Sequence, residues 1–570
     1  MENSNNTIKK KGKVVKKAGT AVVKAKSATP VEEKASDIIR VYSEKDKELN
    51  APVFDPPDYN GCEKASEYIG VFIRYNIKKR SRTFINKNNG KPYVTLVGEG
   101  NVFETYPIES KAFKEELQLE AEDEFDYSFS SVLFSPHIET MAGRTRKNKV
   151  EKKVNLRIGI DTKSNKIYYN LANKEHEFVR ISSKQVKIIP SNLVGYSLPF
   201  VDTDAMTAQV LPALTGNGKS LVELLEPFFP LKHTEQLPLL AITLVCWFIP
   251  NIPKPLLLFT GEKGNGKSLA CNTVQTIVDP TRHANFNITK NRTDLYAILK
   301  SHYCTLLDNI SKLSEEMSDT VATAITRAST GSRQYYTEDD LHFENFDYCA
   351  IILAGINNFI FRDDLMSRVV HLPLKIDDAG KKRVTEGYLK NKLAEDLPFI
   401  LHEVFITLQK ALKIRESYTD DEVANMDFSD RLADYELFAR CVSKVMFDDE
   451  EVFKKLYRDT VNRQVTELLM NNKTIAITYE YLKSRSPAQQ WPIKAQPKDF
   501  FSEVRRFGVQ QGYLTSDYDT SFAQGVAVFG KTISAESTKD NPQYNEKMLK
   551  LGYRITTKSG TRRTIYVEKI

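Results

Sequence analysis

Residues 261–268 read GEKGNGKS, and their types and spacing fit the handling of a nucleoside triphosphate. Gly261 and Gly266 with Lys267 and Ser268 make the pattern GxxxxGKS. The glycines let backbone N–H groups of Glu262, Lys263, Gly264 and Asn265 curl around phosphates without a Cβ in the way. A helix starting near Lys267 and Leu269 adds its positive end. Lys267 then neutralises phosphate charge, and Ser268 is placed to ligate Mg²⁺, so ATP and Mg²⁺ are the expected ligands. A second GNGKS at 216–220 has Ala213 where the first glycine belongs and no strand before it. It is read as a flexible linker.

Several elements must hold these groups in place. The apolar run 256–259 enters the loop as a strand buried on both faces of a parallel sheet. Residues 303–307 form another such strand, and it ends in Asp308, a carboxylate placed to hold the Mg²⁺ shell through water. A helix is expected at 314–329, then a hairpin in RQYYTEDDLHFENF, then a third strand at 348–353. Asn357 and Asn358 follow that strand, where a polar side chain can sense the terminal phosphate. Arg368 precedes a fourth apolar strand.

Strand and loop, strand and Asp, strand and Asn, then Ser-Arg before a strand is the layout of an AAA+ ATPase. The chain further resembles the MCM-like, self-loading replicative helicases and replication initiators (Rep or Cch type) of staphylococcal pathogenicity islands and cassette elements. The residues that carry the resemblance are TGEKGNGKS at 260–268, LLDNIS at 306–311, YYTEDD at 335–340, LAGINNF at 353–359, DDLMSRVVHLPL at 363–374 and RLADY at 431–435. Upstream, 91–113 and 166–171 are similar to the N-terminal domain of related proteins. The resemblance implies a homo-hexameric ring with ATP between subunits, Arg368 as an arginine finger reaching a neighbour's site, and Arg431 as a second sensor arginine. It also implies a hairpin that enters a pore. The hairpin tip, Glu338 to Asp340, is acidic, so contacts with DNA fall to Arg333 or His342, or to Lys290 and Arg292 in the polar loop before the Asp308 strand. Where the family pattern has an acidic pair, this chain has Asp308-Asn309. Asn309 orients water but takes no proton, and the general base stays unassigned among Glu315, Glu316 and a neighbouring subunit. Related island proteins carry Asn there too.

The outer segments read as follows. Residues 1–38 are a Lys-rich tail expected to be disordered, serving either DNA affinity or solubility. Residues 39–200 read as an α+β domain, a collar or a surface for DNA or partners. Its β-like runs are 68–77, 92–97, 156–160, 166–170 and 178–181, with a helix at 111–122. A basic cluster, Arg144 to Lys153, lies between the strands, suited to phosphate contact or simply a solvated loop. A linker is expected at 201–222, the ATPase core and helical lid at 223–445, and a winged-helix domain at 446–570. That last assignment rests on helices at 453–470, 478–484 and 497–511, an irregular insertion at 515–546, and a terminal hairpin around Ser559-Gly560. Lys498, Arg505 and Arg506 on a helix, with Lys558, Arg562 and Arg563 in the wing, are the candidate contacts with origin duplex.

With 570 residues and 41% hydrophobic content the chain fits a multidomain α/β protein: a parallel sheet with helices on both faces between the two outer domains. The net charge of +7 is modest, but the basic residues are clustered. The apolar stretch 237–250 is too short to cross a bilayer and is expected to be a core helix. The six cysteines lack metal-ligand spacing, and the eight histidines form no zinc pattern. A bacterial cytoplasm is the expected location, with no membrane partner and with host replication proteins as further partners. Three functions fit: a ring helicase that binds its own origin, an origin-binding initiator or loader using ATP as an assembly switch, and an AAA+ remodeller of proteins.

Overall fold

A computed structural model describes residues 37–41, 58–98, 101–283, 286–287, 292–310, 313–326, 329–333, 341–345, 347–356, 363–366, 368–376, 384–428, 432–470, 472–485, 491–516, 518–533, 548, 551–558 and 564–570. The architecture is mixed α/β, and its centre is a parallel sheet of five strands. Their order is Phe286–Asn287, Cys304–Ile310, Ala350–Gly355, Leu256–Thr260 and Val369–Pro373. The two middle strands and Val369–Pro373 are buried along their whole length, which is why they read as unbroken apolar runs and not as alternating ones. The strand entering the glycine loop lies between Ala350–Gly355 and Val369–Pro373, with Thr260 opposite Gly355 and Pro373. Ligands of such sheets bind outside the carboxyl ends of the strands, where the chain switches direction across the sheet.

The apolar stretch at 237–250 forms the helix Leu237–Trp247, with Leu239 through Trp247 all buried. It packs with Leu221–Leu225, Glu386–Ser417 and Ala433–Phe447. Among the described residues, no helix is long and apolar enough to cross a membrane. Five of the six cysteines are buried and Cys62 is partly exposed, all as free thiols.

Between residues 37 and 200 there are two sheets. The first runs Phe103–Pro107, Pro92–Val97, Ser81–Asn86, Glu151–Lys152 and packs under the helices Lys111–Phe125 and Ser135–Asn148. The second runs Ile39–Arg40, Val186–Pro190, Glu177–Ile181, Lys166–Asn170, Ile158–Asp161. Its inner face shares one hydrophobic core with the helix Lys267–Val278 and with Glu386–Ser417.

Four local expectations change. The run 68–77 is helical, as Ala65–Phe72 continued by a π-turn at Ile73–Ile77. Ile69, Phe72, Ile73 and Ile77 are its buried positions, the i, i+3, i+4, i+8 spacing of a helix face. The basic cluster is not an inter-strand loop: Arg144, Arg146 and Lys147 end the helix Ser135–Asn148, and Arg146 pairs with Glu109 at 2.7 Å. The segment 201–222 is strapped down. Gln209 is buried with its amide donating to Thr276 O at 2.9 Å, Ala213 N donates to Pro398 O at 2.9 Å, and Ser220 caps the helix Leu221–Leu225. A Cβ on Gly216 would stand 3.0 Å from the Glu403 carboxylate, while residues 216–220 are exposed and no strand leads into this GNGKS. Finally, the insertion at 515–546 contains the helix Val526–Ile533, with Phe529 and Ile533 buried.

The C-terminal segment starts with the helix Glu451–Met470. It continues through helix Lys473–Ser484, strand Ile493–Ala495, helix Pro497–Gln510, helix Val526–Ile533 and the strands Tyr553–Lys558 and Thr564–Lys569. The three strands form one antiparallel sheet, and a separate core joins them to the three shorter helices.

Candidate functional site

The loop after Thr260 is shaped by its glycines. Gly261 has φ +155°, Gly264 +92° and Gly266 +76°, all conformations that L side chains rarely adopt. At Gly261 a Cβ would also lie 2.7 Å from Leu374 O, so any side chain there must push the backbone. Asn265 pins the loop from the other side, its Nδ2 donating to Leu374 O at 3.2 Å. Gly266 is the residue before the helix Lys267–Val278, and the first N–H groups of a helix have no intrahelical acceptor. Glu262, Lys263 and Gly264 are exposed, while Leu269 is partly buried.

Lys267 folds back over this loop, its Nζ donating to Gly261 O at 2.7 Å and Glu262 O at 2.8 Å. Ser268 Oγ donates to Asp308 Oδ2 at 3.2 Å, which brings together two residues that are 40 positions apart in the chain. Asp308 is aimed by a register slip. Between Leu307 and Ile310 the pairing with Ala350–Gly355 shifts, Asn309 takes φ +59°, and Asn309 N donates to Asp308 Oδ1 at 2.6 Å. Such a bulge turns a side chain out of the strand plane, here toward the helix that starts at Lys267. Asn309 itself is exposed, as are Glu315 and Glu316.

Among the described residues, no group of three or more His, Cys, Asp or Glu side chains stands ready to hold a metal ion. Mg²⁺ is often held by one or two carboxylates together with substrate phosphates, and the hydroxyl of Ser268 beside the carboxylate of Asp308 fits that manner of binding.

Arg368 lies at the other end of the sheet. Its carbonyl accepts from Leu256 N, the first residue of the strand whose last residue is Thr260. Five extended residues span about 16 Å, so Arg368 lies a strand length away from the glycine loop of this chain. Its Nη1 donates to Ala322 O at 3.1 Å, on the helix Glu315–Thr326. Arg431, Asn357, Asn358, Lys290, Arg562, Arg563 and the hairpin tip lie outside the described residues. For Arg292, Arg333, His342 and Lys558 the backbone alone is described: in the helix Arg292–Ser301, the paired strands Ser329–Arg333 and Leu341–Asn345, and the strand Tyr553–Lys558.

On the helix Pro497–Gln510, Lys498 and Arg506 are exposed. Arg505 instead lies over the rings of Phe501 and Phe522, 5.5 and 5.9 Å from their centroids.

Two supports of the site were not foreseen. His371, buried in the strand next to the loop strand, sits with Nε2 2.7 Å from Thr260 Oγ1, at the last residue before the glycine loop. Burial, then His233 and Lys232, lowers it to about 3, so it is neutral near pH 7. At the far end of the loop helix, Asp279 Oδ1 meets Arg157 Nε at 2.9 Å, and Asp279 Oδ2 accepts from Tyr303 N and Cys304 N at 2.9 and 3.1 Å. Arg157 is fully buried and also donates to Asn170 O, Thr207 O and Pro280 O. A lone arginine inside the apolar run 156–160 was the available signal, since a charge there must be paired.

A glycine loop between a buried parallel strand and a helix, facing a carboxylate from another strand, is the centre of a mixed α/β protein. Residues 222–446 match the family model of the actinomycete integrative conjugative element replication protein. No curated protein matches the chain. Among solved structures, the active helicase Cch of SCCmec type IV overlays with 12% identity and a TM-score of 0.37, covering 79% of this chain and 93% of that one. The apo C-terminal region of NrS-1 overlays with 11% identity and a TM-score of 0.36, covering 87% and 98%. Overlays at that level define no common fold.

Proposed function

We propose that this chain is an ATP-dependent DNA helicase and replication initiator of a mobile genetic element, acting as a homo-hexameric ring. In this reading residues 223–445 are an AAA+ ATPase and 446–570 a winged-helix domain that binds the origin. The observation that carries it is the meeting of Lys267, Ser268 and Asp308 at the carboxyl ends of the parallel strands, within the segment that matches the replication-protein family. Lys267 exchanges its two loop carbonyls for phosphate oxygens, and the free N–H groups after Gly266 take the rest of that charge. Ser268 and Asp308 would hold Mg²⁺, which when bound would supply screening of the phosphate charge. Asn309, exposed beside Asp308, orients the attacking water. Arg368, a strand length from its own loop, reaches the site of the next subunit, where an arginine finger contributes about 10³–10⁵ in rate.

In the C-terminal module the helices Pro497–Gln510 and Val526–Ile533 precede the strands Tyr553–Lys558 and Thr564–Lys569 in the chain, and one of the helices of this module is offered to the major groove. Lys498 and Arg506 on Pro497–Gln510 then hold backbone phosphates.

One observation favours a second reading. With an amide at 309 and no base assigned, ATP would act as an assembly switch on an initiator that binds without translocating. Hydrolysis assays address the shared site. DNA-stimulated turnover is expected from the native chain and from neither Lys267→Ala nor Arg368→Ala alone. A mixture of the two variants should regain part of it, because some interfaces then join an intact loop to an intact finger. Turnover by Lys267→Ala, or a mixture with no recovery, would contradict the assignment.

A further inference from the structure

At the end of the parallel sheet away from the phosphate loop, a cleft of about 230 Å³ opens toward the sheet that carries Tyr93. Lys153 and Asn88 line it on one side, with Lys300, His302 and Asp347 on the other. Asp347 is the one carboxylate among the described residues lining it. Its Oδ1 lies 2.9 Å from Lys153 Nζ, and its Oδ2 accepts from Asn88 Nδ2 at 3.0 Å.

Positive charge exceeds that single carboxylate. Lys254 is fully buried behind two rings that line the cleft, with Nζ 5.3 Å from the Tyr303 centroid and 5.8 Å from that of Tyr348. Lys300 is pushed below the ordinary lysine value by burial first and then by the charge of Lys91. Two ammonium groups, those of Lys153 and Lys300, therefore line this seam against Asp347, with Lys91 close enough to act on Lys300.

A second and independent observation comes from His302, which is 6% exposed. Its Nδ1 stands 3.1 Å from Ile298 O and 2.8 Å from Ser301 Oγ, while Ser301 Oγ donates to Ile298 O. A carbonyl only accepts, so these partners assign the proton to Nδ1 and leave Nε2 with a lone pair. Nε2 is buried and has no hydrogen-bond partner among the described residues, and His302 lines the cleft. A buried acceptor without a donor costs about 1–3 kcal/mol, which a ligand donor would recover.

We propose that this cleft is a second nucleotide site, holding a phosphate against Lys153 and Lys300 and an amine or hydroxyl donor against His302 Nε2. A free nucleotide and one residue of a DNA strand offer the same chemistry. The site does not depend on hydrolysis at Lys267, so it stands or falls apart from the proposed function.

The test uses the full chain carrying Lys267→Ala, which removes the phosphate-loop lysine from the readout. Binding of a fluorescent adenine nucleotide and of a short labelled oligothymidylate is measured by anisotropy, with and without Lys300→Gln or Lys153→Gln. Each variant should weaken one probe about 3–10-fold and, for the strand, lower the salt slope by about 1, with the thermal midpoint unchanged. Loss with the oligonucleotide alone identifies a strand, and loss with the nucleotide alone identifies a free nucleotide. Unchanged affinity for both probes in Lys300→Gln overturns the site and leaves only water at His302. Lys300→Gln decides by itself should Lys153→Gln unfold through loss of the Asp347 pair.

Discussion

Lys254 shows how a single residue ties stability to pH. It begins the approach to the loop strand and is fully buried, and burial first, then Lys153, draws its ammonium down to about 7 from the ordinary 10.5. Between those two values the unfolded chain holds a proton that the folded chain does not, so this group makes stability rise with pH across that window. Below it both states are charged and the full penalty is present. Replacing the amine by an apolar chain of similar length removes the penalty. Lys254→Met should therefore be more stable than the native chain at pH 7, by on the order of 3 kcal/mol, with the gap closing toward pH 10. Urea unfolding of the two proteins at both pH values measures this. A gap that is absent at pH 7, or that widens with pH, would contradict the burial of a charge here. Lys267, Ser268 and Asp308 were legible because their spacing and flanking strands are chemical requirements. Lys254 was not, since nothing in KPLLLF says that the lysine lies inside.

At the scale of elements, the Arg157–Asp279 pair fastens three pieces that carry the site. Asp279 follows the loop helix Lys267–Val278, holds the start of the strand that carries the Asp308 bulge, and meets Arg157, just before the strand Ile158–Asp161 of the second N-terminal sheet. Thr207 O and Pro280 O complete the guanidinium's partners, so the tie 201–222 is part of the same joint. Breaking a buried pair on one side leaves the other charge uncompensated, at a cost of about 3–5 kcal/mol. Arg157→Met should lose that much in denaturant unfolding, while Arg157→Met with Asp279→Asn should recover part of it. A double variant no more stable than the single would mean that the pair is not coupled. This joint was illegible because both partners lie in segments that look ordinary, 122 positions apart. The helix at 65–77 was misread for a related reason: seven apolar or aromatic residues in ten hide a helical spacing unless the buried subset is known. The helix Val526–Ile533 was missed because its short apolar run, VAVF, is set among polar turns.

Across the whole molecule, the strands of the central sheet were legible because burial on both faces leaves continuous apolar runs. Their lateral order was not, since the strand bearing Asp308 is separated from the loop strand by Ala350–Gly355, which comes later in the chain. Nor does the sequence reveal that the sheet running from Ile39–Arg40 to Ile158–Asp161 shares its core with the loop helix, since long-range packing leaves no periodic mark. The long helix Glu451–Met470 also crosses domains. Thr460 on it accepts from Gln236 Nε2, and the same amide donates to His371 O in the strand next to the phosphate loop, so a direct path of contact joins the C-terminal module to the loop. In the proposed helicase that path connects DNA binding with nucleotide state. Strand displacement on a forked DNA duplex with ATP and Mg²⁺, comparing the native chain with Lys267→Ala, probes that function most directly. Unwinding by the native chain and none by the variant is expected. DNA-stimulated hydrolysis by the native chain without displacement, on forks of either polarity, would contradict the helicase and make the protein an ATP-switched initiator.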